Sequence, residues 1–184
     1  MNIIVADIPN VLVFEPDVHG DERGLFLETY QLQRYADAGL RRPFVQDNVS
    51  RSAHGVLRGL HLQHPNSQGK LVTVLRGRVL DVAVDVRVGS PYFGRHVAVE
   101  LTEQNRRQLW IPRGFAHGFV VLSDTADFFY KCDGYYSRKD ECSIRWNDPE
   151  IGIHWGLENM ILSAKDAEAP LLSEARDLPI YGQV

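Results

Sequence analysis

From Leu80 the chain alternates, with Leu80, Val82, Val84 and Val86 on one face of an extended segment and Asp81, Ala83, Asp85 and Arg87 on the other. A period of two is that of a half-buried β-strand. Gly77 before this segment, and Gly89, Ser90 and Pro91 after it, mark turns. The stretches RHVAVEL, QLWIP, HGFVVLS and ADFFYKC also have strand length, with turn residues between them. Short strands at this spacing predict an all-β fold, an antiparallel sandwich or barrel. Two stretches follow helical spacing instead. TYQLQRYADAG sets Leu32, Tyr35 and Ala36 on one side and closes with Gly39 as a C-cap. SAKDAEA opens on Ser163 with Asp166 three residues later, close to a capping box. Both helices are short and belong at the periphery.

Composition narrows the class. At 184 residues with 44% apolar content, and without repeats or Ser/Gly linkers, residues 1–184 are expected to form one domain with a sizeable core. A formal net charge of −4 argues against a nucleic-acid binder, which needs a basic surface. An anionic ligand must therefore meet a local cluster of Arg and Lys. Cys132 and Cys142 lack CxxC spacing and are too few for a disulfide framework, which suits reduced thiols in a cytoplasmic protein. The opening MNIIVADIPNVLVFEP has no basic leader, Asp7 and Pro9 interrupt its apolar run, and no stretch approaches membrane-spanning length. The expectation is a soluble cytoplasmic protein without nucleic-acid or membrane partners.

GVLRGLHLQHP, residues 55–65, departs from the bland strand pattern by placing Arg58 and His61 among Val and Leu. Polar groups in such a place are either paired within the core or line a pocket. Strict alternation would group Arg58 with Leu60 and Leu62, and His61 with Gln63 on the other face. For both polar residues to reach one pocket, a bulge or sharp twist is expected at Gly59, or else Arg58 acts from the strand's end.

Residues 112–117 read Pro-x-Gly-x-x-His, which resembles the second motif of the cupin superfamily. Gly55, His61, Lys70 and Gly77 fall at the spacing of its first motif. The resemblance implies a cupin-type jelly-roll β-barrel with short peripheral helices and a pocket between its sheets. Metal-binding members carry His-x-His where this chain has His61-Leu62-Gln63, and an acidic ligand where it has Lys70. An ammonium repels a divalent cation and Gln is a poor substitute for imidazole, so a metal site is not expected. A cation in that position suits chemistry that builds negative charge on a bound oxygen.

At closer range, GDERGLF, FVQDNVSRS, VLRGLHLQ, QGKLV, DVAVDVR, QLWIPRGFAHGF, FYKCDGYYS, WNDPEIGI and LSAKDAEAPLL occur in the order and spacing of the dTDP-4-dehydrorhamnose 3,5-epimerase family, across about residues 5–172. The resemblance implies a cofactor-independent inversion at C3 and C5 of dTDP-4-keto-6-deoxy-D-glucose, in dTDP-L-rhamnose biosynthesis. The substrate's ketone acidifies the flanking ring hydrogens, and the enzyme must supply a base, an oxyanion stabiliser and an acid on the far face. His61 matches the family's base, Asp166 the carboxylate orienting it, Lys70 the group beside the C4 oxygen, and Tyr130 the proton donor. Arg58 matches a diphosphate ligand, for which guanidinium has the bidentate geometry. Arg23, Phe26 and Glu28 match nucleotide contacts delivered by the neighbouring subunit of a homodimer, and Gln46, Asn48, Tyr136 and His117 match further pocket residues. The alternative is an epimerase inverting one carbon, or a ketoisomerase, acting on a similar dTDP-4-keto-6-deoxy sugar.

Overall fold

The computed structural model describes residues 1–184. The strands are β1 (Asn2–Val5), β2 (Leu12–Glu15), β3 (Val18–Asp21), β4 (Gly24–Leu27), β5 (Gln46–Ala53), β6 (Leu57–Gln63) and β7 (Lys70–Arg76). They continue with β8 (Arg78–Asp85), β9 (His96–Thr102), β10 (Gln108–Ile111), β11 (Phe115–Val121), β12 (Thr125–Cys132) and β13 (Glu141–Ser143). Helix α1 spans Leu32–Asp37 and α2 spans Ala164–Ala167. No helix is long and apolar enough to cross a membrane.

Six strands form one sheet in the order β1-β2-β10-β7-β12-β5, five form a second in the order β13-β6-β11-β8-β9, and β3-β4 make a separate hairpin. Every pairing is antiparallel. From β5 to β8 the chain crosses to the other sheet at each step, and it does so again from β9 to β13. The result is the two-layered jelly roll that the strand spacing and the cupin motifs imply. Sixteen buried apolar residues fill the space between the layers, among them Val72, Val74, Leu101, Leu109, Phe119 and Phe128.

The alternating segment shows where the reading of a half-buried strand fails. Val82 and Val84 of β8 do pack to one side, under Ile144, Ile151 and Trp155 of the C-terminal segment. The opposite face is not solvated, because Asp81, Ala83 and Asp85 are all fully buried. That face looks into the barrel, where Asp85 is neutralised by Arg87 at 2.6 Å and Asp81 meets His117. Polar residues on an alternating strand normally mark the water side, but here they mark a polar interior.

Helix α1 forms where the helical spacing lies, capped by the Gln31 side chain on the backbone N–H of Arg34. Gly39 follows it with φ +103°, a left-handed conformation that suits glycine after a helix. Tyr35 is buried against Phe14, Leu40 and Leu71, whereas Leu32 is exposed. Ser163 caps α2 by accepting from the N–H of Asp166. The segment before α2 runs along the barrel: Ile161 N–H donates to Gly55 O at 2.8 Å and Leu57 N–H donates to Ile161 O at 3.0 Å. It carries α2 to the flank of β6.

Gly59 resolves the alternation problem in β6. Opposite β11, His61 pairs with His117 but Arg58 pairs with Phe119, so two residues of β6, Gly59 and Leu60, lie opposite the single Gly118. The extra residue is a bulge at Gly59, whose φ is +140°. A Cβ there would lie 2.5 Å from Gly118 Cα, so only glycine fits. As a consequence Leu57, Leu60 and Leu62 all pack outward under the C-terminal segment. Arg58 and His61 thereby turn to the barrel side, where Arg58 donates to Ser52 Oγ of the facing sheet at 3.1 Å.

Candidate functional site

Between the two sheets opens a cavity of about 330 Å³, lined by Gln46, Asn48, His61, Lys70, Tyr130 and Tyr136 together with Leu62, Gln63, Gln68, Cys132 and Glu141. Each layer contributes by its alternation. Gln46 and Asn48 of β5, Lys70 of β7 and Tyr130 of β12 come from the six-stranded sheet, and His61 of β6 comes from the five-stranded one. The imidazole therefore faces the ammonium and the phenol across the space a ligand would fill.

His61 Nε2 lies 2.6 Å from Asp166 Oδ1. Asp166 is 3% exposed and its backbone serves the α2 cap, so cap and partner of the imidazole coexist in one residue. Burial pushes its carboxyl up, but the hydrogen bond and charge of His61, with help from Ser163 and the backbone at Gly59, more than offset this and hold it below its ordinary value. With Nε2 engaged, Nδ1 is the ring nitrogen free to accept a proton.

Burial pulls the Lys70 amine below its usual value, against the opposing pull of Cys132, Asp81 and Glu141. Burial raises the Tyr130 phenol, assisted by Cys132 and opposed by Arg58, which keeps it protonated as a donor. Cys132 is pushed up to about 11 by burial, so it is a neutral thiol beside the amine and not a nucleophile. Neither cysteine is paired in a disulfide. Nor do three or more His, Cys, Asp or Glu side chains converge in a way that could hold a metal ion.

Not every sequence candidate lies in the cavity. Arg58 does not line it and instead donates to Ser52 Oγ of the facing sheet at 3.1 Å. His117, cross-strand from His61, turns to Asp81 at 2.9 Å and stacks on Phe128. Arg23 and Phe26 sit on the β3-β4 hairpin around a separate concavity of about 530 Å³, with Phe26 69% exposed. Glu28 follows the hairpin and pairs with Arg34 at 2.7 Å. Within one protomer these three do not meet His61.

The sequence reading missed Cys132, Gln68 and Glu141. Cys132 follows Tyr130 by two residues on a strand, so alternation alone puts it on the same face. Glu141 gave no such signal: it reaches the cavity by the pairing of β13 with β6, and is held there by Lys165 at 2.7 Å and the Tyr136 hydroxyl at 3.1 Å.

Known proteins share both fold and sequence with this chain. It is 54% identical to a dTDP-4-dehydrorhamnose 3,5-epimerase of Shigella flexneri, over 90% of this chain and 93% of the relative. A crystal structure of dTDP-6-deoxy-D-glucose-3,5-epimerase from Legionella pneumophila, in complex with dTDP-4-keto-L-rhamnose, superposes with a TM-score of 0.95 at 54% identity, covering 98% of each chain. A 3'-monoepimerase from Streptomyces bikiniensis, in complex with dTDP-quinovose, matches with a TM-score of 0.91 at 34% identity, over 97% of this chain and 93% of that one. The family model described as dTDP-4-dehydrorhamnose 3,5-epimerase matches residues 5–174. With nearly its whole length matched in sequence and in fold, the chain belongs to the dTDP-4-dehydrorhamnose 3,5-epimerase family.

Proposed function

We propose that residues 1–184 act as one catalytic domain that inverts C3 and C5 of dTDP-4-keto-6-deoxy-D-glucose, with His61, Asp166, Lys70 and Tyr130 as its chemical groups. The observation that carries this reading is the placement of His61, backed by Asp166 at 2.6 Å, on the sheet opposite Lys70 and Tyr130. His61 Nδ1 takes the proton from a carbon flanking the ketone. The C–H electrons move into the ring, and the ketone oxygen becomes an enolate oxyanion. Asp166 stabilises the resulting imidazolium and fixes its orientation. Lys70 stabilises the oxyanion, a role in which low surrounding polarity strengthens its charge.

Tyr130 then delivers a proton to the carbon from the other face, which inverts it. The proton on His61 returns to solvent and the phenolate recovers one, so the enzyme is unchanged and no oxidant or cofactor takes part. Repeating the sequence at the second flanking carbon gives the 4-keto-L-sugar. Arg58 contributes a guanidinium for the diphosphate, and Gln46, Asn48 and Tyr136 complete the pocket wall. The position of Arg23, Phe26 and Glu28 away from their own cavity supports a homodimer in which the hairpin reaches the partner's nucleotide, with Phe26 stacking on the base.

Incubation with dTDP-4-keto-6-deoxy-D-glucose in deuterated water, followed by NMR of the product, tests this. Deuterium at both C3 and C5 in an L-configured sugar is the expected result. The likeness to a 3'-monoepimerase gives a second reading, inversion of one carbon, and label confined to a single carbon of the product would establish it instead.

A further inference from the structure

An anionic ligand of a chain with a net charge of −4 needs a local excess of Arg or Lys. In the wall of the catalytic cavity Lys70 is the one such residue. A second cavity, of about 320 Å³, is lined by four: Arg41, Arg42, Arg87 and Arg113. Two of them follow strand ends, Arg87 after β8 and Arg113 after β10, and each has an acid, Asp85 at 2.6 Å and Asp133 at 3.0 Å. The other two come from the turn after α1. Leu40 is buried against Phe14, Tyr35 and Leu71, and the two side chains that follow it are exposed. Arg42 is also held extended by the proline after it. Neither Arg41 nor Arg42 forms an ion pair. Val184 also borders the cavity, and its carboxylate is paired with none of the four.

The second cavity lies back to back with the catalytic one. Gly69 stands between Gln68 and Lys70, which line the catalytic cavity. Trp110 and Asp133, which line the second, close on the same glycine: a Cβ there would lie 2.3 Å from Trp110 Cη2, and Gly69 N–H donates to Asp133 Oδ1 at 2.7 Å. Arg113 is fixed from that wall, donating from Nε to the Asp133 carboxylate at 3.0 Å and from Nη2 to its carbonyl at 3.0 Å. Arg87 is buried and sandwiched, with its guanidinium carbon 4.6 Å from the Phe115 ring centre and 4.9 Å from that of Tyr181. Each of the two keeps its Nη1 unengaged.

We propose that this cavity is a second ligand site, for a diphosphate group, separate from the site of the reaction. A guanidinium fork matches phosphate oxygens in pairs, and it does so at little entropic cost where packing already fixes its plane, as it does for Arg87 and Arg113. Those two are charge-balanced by their own acids, so the attraction comes from Arg41 and Arg42, whose charge nothing in the protein offsets. One phosphate cannot engage four guanidinia in this way, whereas two linked phosphates present enough oxygens for all of them. The group is either free inorganic diphosphate or the diphosphate of a larger molecule.

Calorimetric titration with inorganic pyrophosphate, with dTDP present at saturation to hold the catalytic cavity, tests this. One site per chain is expected. The double variant Arg41→Gln/Arg42→Gln is expected to bind pyrophosphate about tenfold more weakly or worse, with dTDP affinity and turnover unchanged. Both side chains are exposed, so their replacement leaves the fold intact. Pyrophosphate binding that dTDP abolishes, binding that the double variant leaves unchanged, or sulfate bound as tightly as pyrophosphate overturns the proposal. ADP in place of pyrophosphate separates the two sources: tighter binding of ADP assigns the site to a nucleotide carrying the group, and equal or weaker binding assigns it to the free diphosphate. Where dTDP itself does not bind, the reading of the catalytic cavity fails, and the double variant compared with the parent in pyrophosphate alone still decides the second site.

Discussion

Replacing Asp166 with Asn tests the base most directly, because it changes one atom in the nearly buried partner of His61 and leaves the backbone cap on Ser163 intact. The substitution removes a charge-assisted hydrogen bond of 2.6 Å. Bonds of that type contribute about 1.5–3 kcal/mol, and at about 1.4 kcal/mol per decade this alone slows proton abstraction by roughly 10–150-fold. An amide adds a second effect. It can present N–H to Nε2, and the imidazole then carries its own proton on Nδ1, the atom that must accept one. The same exchange in other His-Asp pairs costs about 10⁴-fold. The expected fall in kcat is therefore about 10²–10⁴-fold, with KM changed little because Asp166 does not line the cavity. The rate at which C3 and C5 protons disappear in deuterated water, followed by proton NMR, measures it. A variant within about fivefold of the parent at neutral pH would refute the dyad.

The same carboxylate makes a stability prediction. Its pKa is lowered in the folded protein, so the stabilisation it provides is fully present above the unfolded carboxylate value of about 3.9 and is lost as pH falls through the lower folded value. Parent and Asp166→Asn are expected to differ in urea midpoint at pH 7 and to converge toward pH 3, and a gap that widens in acid would contradict the assignment. Tyr130→Phe removes the proton donor and keeps the ring that packs beside Phe128. This variant is expected to exchange substrate protons for deuterium while forming inverted product about 10²-fold more slowly, and unchanged product formation would clear Tyr130 of the role. Phe26→Ala, on the exposed hairpin, is expected to weaken dTDP binding by about 5–20-fold, as loss of one aromatic stack does. Calorimetric titration giving unchanged affinity would remove the hairpin from the neighbouring site.

Strands β6 and β8 to β12 and both helices are legible in the sequence because their signals are local. Alternation marks β8, the run from Ser163 marks α2, and Gly39 marks the end of α1. Which side of a strand faces water is not local information. The Asp81-Ala83-Asp85 face looks like a solvated one, and becomes an interior face only because the six-stranded sheet closes over it while the C-terminal segment covers the other face. The four residues proposed as chemical groups came from the resemblance to the epimerase family, and the bulge at Gly59 from the conflict between Arg58 and His61. The place of Glu141 at the cavity depends on the pairing of β13 with β6, segments far apart in sequence, which no single stretch announces.

The misread face also shows what an interior carboxylate needs. A carboxylate on a solvated strand face is stabilised by water. Inside the jelly roll Asp85 is met by Arg87 at 2.6 Å and Asp81 by His117 at 2.9 Å, so each acid on this face of β8 has a partner from the protein where a surface strand would have solvent.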